Sequence, residues 1–268
     1  MHRVLGHASP DVISHIEDAA LDITIDIASP TPSTIECETC SVSKATEVIS
    51  RRTEVDEPEN GIPFDRTTWD MVELTTGYNG DRYMSHFQCR QFLFNLVFTH
   101  RRKNAAFQYF NKAMKIIENR YNGKVRFVRL DGETSLGEIF ENFVSKKGIK
   151  LERTALDTPA QNGGSERSRR VIVTKGRTMR VEANLPANIW PEIVKAAGYT
   201  ANRTPVRKLL WKTPFEAVLK HKPRLAHMHV YGSRAYPLDH HIARKNKLEP
   251  QAHIGYLVGY DSTNIYRI

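Results

Sequence analysis

The sequence predicts an α/β chain built on one mixed sheet, with a small Cys/His segment before it and a small β unit after it. Three observations carry this. Between residues 66 and 182 the runs follow one another as three strands, helix, strand, helix, strand, helix. That order joins an antiparallel meander to α/β crossovers. Two His and two Cys stand ahead of these runs, and residues 226–268 turn to short aromatic stretches punctuated by Gly.

Bulk properties limit the possibilities. The chain has 268 residues, 40% of them hydrophobic and 26% charged, which suits a globular protein of more than one domain. No apolar run approaches the ~20 residues of a membrane span. The opening Met1-His-Arg-Val-Leu-Gly-His7 lacks a signal-peptide pattern, and three Cys without such a signal indicate a reducing compartment. The net charge of +9 is uneven: residues 1–60 hold four Lys/Arg against twelve Asp/Glu, so the body of the chain is strongly basic. A basic body suits a polyanion such as nucleic acid, although a soluble enzyme with solvated Lys has the same composition.

Residues 1–48 form the first unit. His2 and His7, with Cys37 and Cys40, supply two imidazoles and two thiolates, the ligand set of a tetrahedral structural zinc. Ser9 and Pro10 cap a short helix. An acidic segment of this size needs such a staple to fold. His15 reads as a helix-surface residue and Cys89 as core. Residues 49–62 are polar, with Pro58 and Gly61, and read as a linker.

The core unit spans 63–222. Arg66–Leu74, Arg82–Cys89 and Gln91–Thr99 are strand-like, and Asn79-Gly80 marks a hairpin turn. Asn104–Tyr121 has helical apolar spacing, with Gly123 as its stop. Lys124–Leu130 is a strand, Leu136–Lys147 a helix and Ile149–Ala155 a short strand. Pro159–Glu166 reads as a flexible Gly-rich turn opening a basic helix over 165–182. Further helices cover Pro191–Asn202 and Thr213–Leu219. Residues 226–268 suggest a small β-barrel, or part of one.

Three acids fall where this layout can gather them: Asp70 within the first strand, Asp131 at the end of the fourth, and Glu166 at the start of the basic helix. Converging carboxylates repel unless cations neutralise them. Two Mg²⁺ or Mn²⁺ ions about 3.5–4 Å apart would do so and would promote in-line displacement at phosphorus. An ordinary turn at Asp131-Gly132 and a first-turn acid at Glu166 explain those two residues equally well. Asp70, between Trp69 and Met71, is costly without a partner.

These motifs resemble the integrase portion of copia-type LTR retrotransposon polyproteins, of the fungal sort, over essentially the whole chain. The resemblance lies in His2-Arg-Val-Leu-Gly-His7 with Cys37-Glu-Thr-Cys40, in Trp69-Asp70, in Arg129-Leu-Asp131, and in Thr158-Pro-Ala-Gln-Asn-Gly-Gly-Ser-Glu-Arg167. It extends to Lys247-Leu-Glu-Pro, Gly255-Tyr-Leu-Val-Gly-Tyr260 and Tyr266-Arg. It implies a ribonuclease-H-like core with a mixed five-stranded sheet, a zinc-binding segment before it and a small SH3-like β-barrel after it. The implied activity is 3′-end processing and strand transfer of element DNA, with Asp70, Asp131 and Glu166 holding Mg²⁺ or Mn²⁺. Element ends and target DNA are the implied partners, with RNA and further copies of the chain beside them, no membrane, and a nuclear location after cytoplasmic assembly. Helical geometry adds Arg167, Arg169, Arg170, Lys175 and Arg177 as expected phosphate contacts.

The chain departs from the family pattern in two places. Asp131-Gly132-Glu133-Thr134 replaces Asp-Asn-Gly-Gly-Glu, and His86-Phe-Gln-Cys89 stands where an acidic pair is usual. Met1 directly precedes the first zinc ligand, and no protease or reverse transcriptase accompanies the core. The expectation is therefore a truncated copy. The alternatives to an active integrase are a catalytically inactive relic or domesticated nucleic-acid-binding module of the same fold, and a ribonuclease-H-type nuclease. The zinc region and the basic helix argue against the last.

Overall fold

Alternation along the first strand sets the two faces of the sheet, because successive side chains of a strand point to opposite sides. The computed structural model describes residues 1–24, 37–44, 61–130, 137–153, 159–239 and 250–268, with backbone only at 153 and 159–167. In β1 (Arg66–Glu73), Thr67, Thr68, Trp69 and Asp70 are all buried, as a strand covered on both sides requires. β1 pairs antiparallel with β2 (Tyr83–Cys89), and β2 pairs antiparallel with β3 (Asn95–His100). On its other side β1 runs parallel to β4 (Phe127–Leu130), and β4 runs parallel to β5 (Lys150–Arg153). The sheet order β3-β2-β1-β4-β5 is the mixed five-stranded sheet expected from the sequence. In the turn between β1 and β2, Gly80 takes a φ of +83° that most side chains resist, and Asn79 Oδ1 accepts from the Asp81 amide at 3.0 Å.

On one face Trp69 stacks on Phe87 at 5.2 Å and meets Phe110 at 4.8 Å and Phe140 at 5.6 Å. Phe110 comes from α4 (Ala106–Tyr121) and Phe140 from α5 (Gly137–Lys146). Ala106, Phe110, Ala113, Met114 and Ile117 form the buried stripe of α4, so its periodicity reads correctly. Its end differs by one residue from expectation: Asn122, not Gly123, takes the left-handed cap at φ 47°. Asn tolerates that conformation better than most non-Gly residues.

The opposite face receives α6 (Pro159–Glu182) and α7 (Trp190–Ala201), with Met84, Ile172, Met179, Ile193 and Ala197 in the shared core. α6 begins at Pro159, so the expected Gly-rich turn has helical backbone here. A Pro at the first helical position is preorganised for that start. At the far end of this face a buried polar network ties β2 and β3 to the last turn of α7. Asn95 N donates to Asn202 Oδ1 at 2.7 Å and Asn202 Nδ2 donates to Asn95 O at 2.8 Å.

The outer units lean on this frame. α1 (Pro10–Ile13) and α2 (Ile16–Ala19) bury Leu5, Ile13, Ile16 and Ala20 against Leu225 and Met228. His15 precedes α2 and its ring stacks on Trp211 at 4.0 Å, a contact beyond the helix surface expected of it. Cys89 is fully buried, as expected. After α8 (Pro214–Leu219), four two-residue strands follow: β6 (Arg234–Ala235), β7 (Gly255–Tyr256), β8 (Gly259–Tyr260) and β9 (Tyr266–Arg267). They pair as β6-β7 and β8-β9, and among the described residues these ladders are not joined into a closed barrel. Arg267 Nη1 holds the unit to α7 through Glu192 at 2.7 Å, and Tyr260 stacks on Tyr199 at 5.0 Å. Among the described residues no helix is long and apolar enough to cross a membrane.

Candidate active site and candidate metal centre

Asp70 follows Trp69 in β1, so its side chain points away from the aromatic core and toward α6. It is 7% exposed, and its Oδ2 lies 3.2 Å from Arg169 Nη1. Position 166 lies one turn before Arg169 on α6, and residues three apart share a helix face. On the other side the parallel register pairs Trp69 with Leu130. Each is followed in sequence by an acid, Asp70 and Asp131. Asp131 itself lies outside the described residues, and Glu166 and Arg167 are described by backbone alone.

The antiparallel register sets His86 opposite Asp70. Nε2 of His86 donates to Asn95 Oδ1 at 2.9 Å, and its Nδ1 is buried with no hydrogen-bond partner. Burial pushes its pKa from 6.5 down to about 4, and Arg169 adds to the effect while the Asn95 bond opposes it. The fold therefore accepts the neutral ring, and the unfolded chain takes up the proton first. The contribution is complete above pH 6.5 and is lost as pH falls toward 4. Between pH 7 and 5 the wild-type chain is expected to lose about 2 kcal/mol through this group. Urea midpoints at both pH values should show a shallower loss for His86→Gln; an unchanged slope rejects this assignment.

The basic residues divide. Arg169 is engaged by Asp70; Arg170 and Arg177 are exposed, and Arg177 Nη1 also donates to Ser43 O at 3.4 Å. Lys175 turns inward: its Nζ donates to Leu5 O at 2.8 Å, and burial pulls its pKa down to about 7, with Lys44 adding repulsion. Its position in the helix did not reveal this use.

His2, His7, Cys37 and Cys40 come together, with one donor atom from each lying within 4.8 Å of the others. His2 Nε2 is 3.1 Å from His7 Nδ1, Cys37 Sγ is 3.3 Å from His7 Nδ1, and Cys40 Sγ is 3.5 Å from His2 Nε2. Tetrahedral zinc with ordinary Zn–N and Zn–S bonds sets its ligand atoms about 3.3–3.8 Å apart. The donor set therefore fits that metal. Gly6 makes the turn between the His residues at φ +62°, where an added Cβ would also crowd the Lys175 side chain at 3.0 Å. Cys37 precedes α3 (Glu38–Ser43), which carries Cys40 in its first turn. His2 Nδ1 donates to Ala8 O at 2.6 Å, leaving Nε2 as the ligating atom. Burial, with His2 adding, holds His7 down to about 4, the neutral form that ligates, while burial raises the Cys40 thiol.

This unit docks on the C-terminal half of α6. Besides Lys175 to Leu5, Ser43 Oγ and Thr178 Oγ1 share a hydrogen bond of 2.9 Å, while within the unit Lys44 donates to His7 O. Glu182 pairs with Arg3 and accepts from Thr39 Oγ1 at 2.8 Å. Glu182 was not singled out in the sequence, although an acid at a helix C-terminus runs against the macrodipole and so invites a reason.

No family model matches the chain. It is 34% identical over 165 residues to the retrovirus-related Pol polyprotein from transposon TNT 1-94 of Nicotiana tabacum, covering 60% of this chain and 12% of that protein. The Pol polyproteins from transposons RE1 and RE2 of Arabidopsis thaliana are each 24% identical over 266 residues, or 98% of this chain. The chain spans only 12–18% of the length of these relatives. All three are plant proteins, so the fungal resemblance gains no support from them. Among solved structures, the HTLV-2 integrase catalytic core in complex with magnesium aligns over 59% of this chain and 97% of its own length, at 17% identity and a TM-score of 0.45. The BIV integrase core covers 59% of this chain and 95% of its own, at 17% identity and a TM-score of 0.42.

Proposed function

We propose that this chain is the integrase region of a copia-type retrotransposon polyprotein, carrying out metal-dependent 3′-end processing and strand transfer of element DNA. The observation that carries the reading is the Asp70–Arg169 pair, a carboxylate on the central strand turned toward the helix that carries Glu166. The similarity to Pol polyproteins of retrotransposons supports it.

In this reading Asp70, Asp131 and Glu166 would hold Mg²⁺ or Mn²⁺, which would supply activation of the attacking oxygen and charge stabilisation at the leaving one. Arg169 already balances the Asp70 charge, the role such a cation takes over. Buried His86 closes the site behind Asp70 and stays neutral, so it does not compete for the carboxylate. The exposed Arg170 and Arg177, with Arg167, would meet phosphates along α6. Zinc would be held by His2, His7, Cys37 and Cys40 as a structural ion. DNA as partner, self-association and a nuclear site of action belong to the same reading.

The test is a strand-transfer assay with Mn²⁺ and labelled terminal-repeat ends. Wild-type product that disappears in Glu166→Gln and Asp131→Asn is the expected result. No product from any form would leave a nucleic-acid-binding module in place of an enzyme.

A further inference from the structure

We infer that α6 completes the zinc site: Glu182 is the positioning residue for His7, its carboxylate taking the ring N–H on the side away from the metal. The inference rests on the zinc reading above and goes one layer beyond the ligands.

His7 is 1% exposed, and its Nδ1 faces the sulfur of Cys37 at 3.3 Å. A ring that ligates through Nδ1 must carry its proton on Nε2. That Nε2 is buried and has no hydrogen-bond partner, yet Glu182 Oε2 stands 3.9 Å away. A small movement of either side chain turns this approach into a hydrogen bond, and ligating histidines usually donate their second N–H to such a group. His2 follows the same rule through the Ala8 carbonyl.

The same carboxylate touches both halves of the site. Arg3, beside His2, pairs with Oε1, and Thr39, between Cys37 and Cys40, donates to Oε2 at 2.8 Å. One acid at the end of α6 thus fixes the orientation of His7 and gathers the two ligand-bearing turns. Metal binding and attachment of the first segment to α6 become one event. Because α6 also carries Glu166 and Arg169, zinc occupancy steadies the helix that the proposed active site uses.

The experiment is zinc competition against a chromogenic chelator with the full chain, comparing wild type, Glu182→Gln and Thr178→Val. The last removes a docking contact of α3 on α6 without touching the carboxylate. Glu182→Gln is expected to bind zinc about 10- to 100-fold more weakly, with Thr178→Val within about threefold of wild type. In ¹⁵N-labelled wild-type protein the His7 ring N–H should appear downfield and exchange slowly, and it should move upfield and exchange faster in Glu182→Gln, whose neutral amide oxygen is a weaker acceptor. Equal affinity in wild type and Glu182→Gln overturns the inference, as does an equal loss in Thr178→Val, which would make the effect mere docking. Absence of that ring N–H signal in zinc-loaded wild type overturns it even where a variant fails to fold. A wild-type chain that takes up no zinc overturns the zinc reading itself, and this inference with it.

Discussion

Chelation of zinc is expected to release residues 1–24 and 37–44 from the rest of the chain while leaving the five-stranded sheet intact. The helices of this segment are four, four and six residues long, far below the length at which a helix holds by itself. Its apolar contribution is Leu5, Ala8, Ile13, Ile16 and Ala20, closed by two residues from elsewhere, Leu225 and Met228. That is too little apolar surface to order the segment alone. A structural zinc in a Cys/His site contributes about 10–16 kcal/mol in peptides at neutral pH, so its removal outweighs the hydrogen bonds between this segment and α6. The docking bonds of Lys175 to Leu5 and of Ser43 to Thr178 should fail together. Hydrogen exchange read by peptide should show protection in the first segment falling by about a thousandfold or more, the order expected when several kcal/mol are withdrawn. β1 and β2 should keep theirs, because their core of Trp69, Phe87, Phe110 and Phe140 does not touch this segment. Unchanged protection after chelation would reject the structural zinc.

What could be read in the sequence is what repeats locally. The five strands, the apolar stripe of α4 and the turn at Asn79-Gly80 follow from period-two and helical patterns and from turn chemistry. Asp70 stood out because an acid between Trp69 and Met71 breaks the apolar strand, and a break of that kind needs a reason. The grouping of His2, His7, Cys37 and Cys40 was legible because ligand type and spacing are both restrictive. The use of each cation was not. Arg169 and Lys175 look alike on a helical wheel, yet one meets Asp70 and the other the Leu5 carbonyl. Those partners are about 100 and 170 residues away in sequence, and no local pattern encodes them. Glu182 and the stacking of His15 on Trp211 were missed for the same reason. The last residues misled differently. Their Gly-punctuated aromatic runs suggested full strands, but much of that aromatic character, Tyr260 above all, packs on α7 instead.

Asp70→Asn is expected to abolish strand transfer without weakening the fold. The two effects separate because they depend on different properties of one side chain. Catalysis needs the negative charge: a hard divalent ion prefers an anionic oxygen, and losing one such ligand removes about 4 kcal/mol of transition-state stabilisation, or about a thousandfold in rate. Stability does not need it. The carboxylate is 8% exposed, and its partner Arg169, at 36%, keeps access to solvent once the charge is gone. A buried charge on such a pair gains little over a neutral residue of the same shape. Asn keeps the size and an oxygen that can still accept from Arg169, so the change in stability should stay within about 1 kcal/mol. Thermal melts supply the decisive comparison. Without divalent metal the two proteins should melt together. With Mn²⁺ the wild type should gain stability by mass action while Asp70→Asn does not follow. An Asp70→Asn protein that still joins DNA ends would remove Asp70 from the proposed active site. One that melts far below wild type without metal would make Asp70 a structural acid, and the Arg169 pair would then be a clasp between β1 and α6.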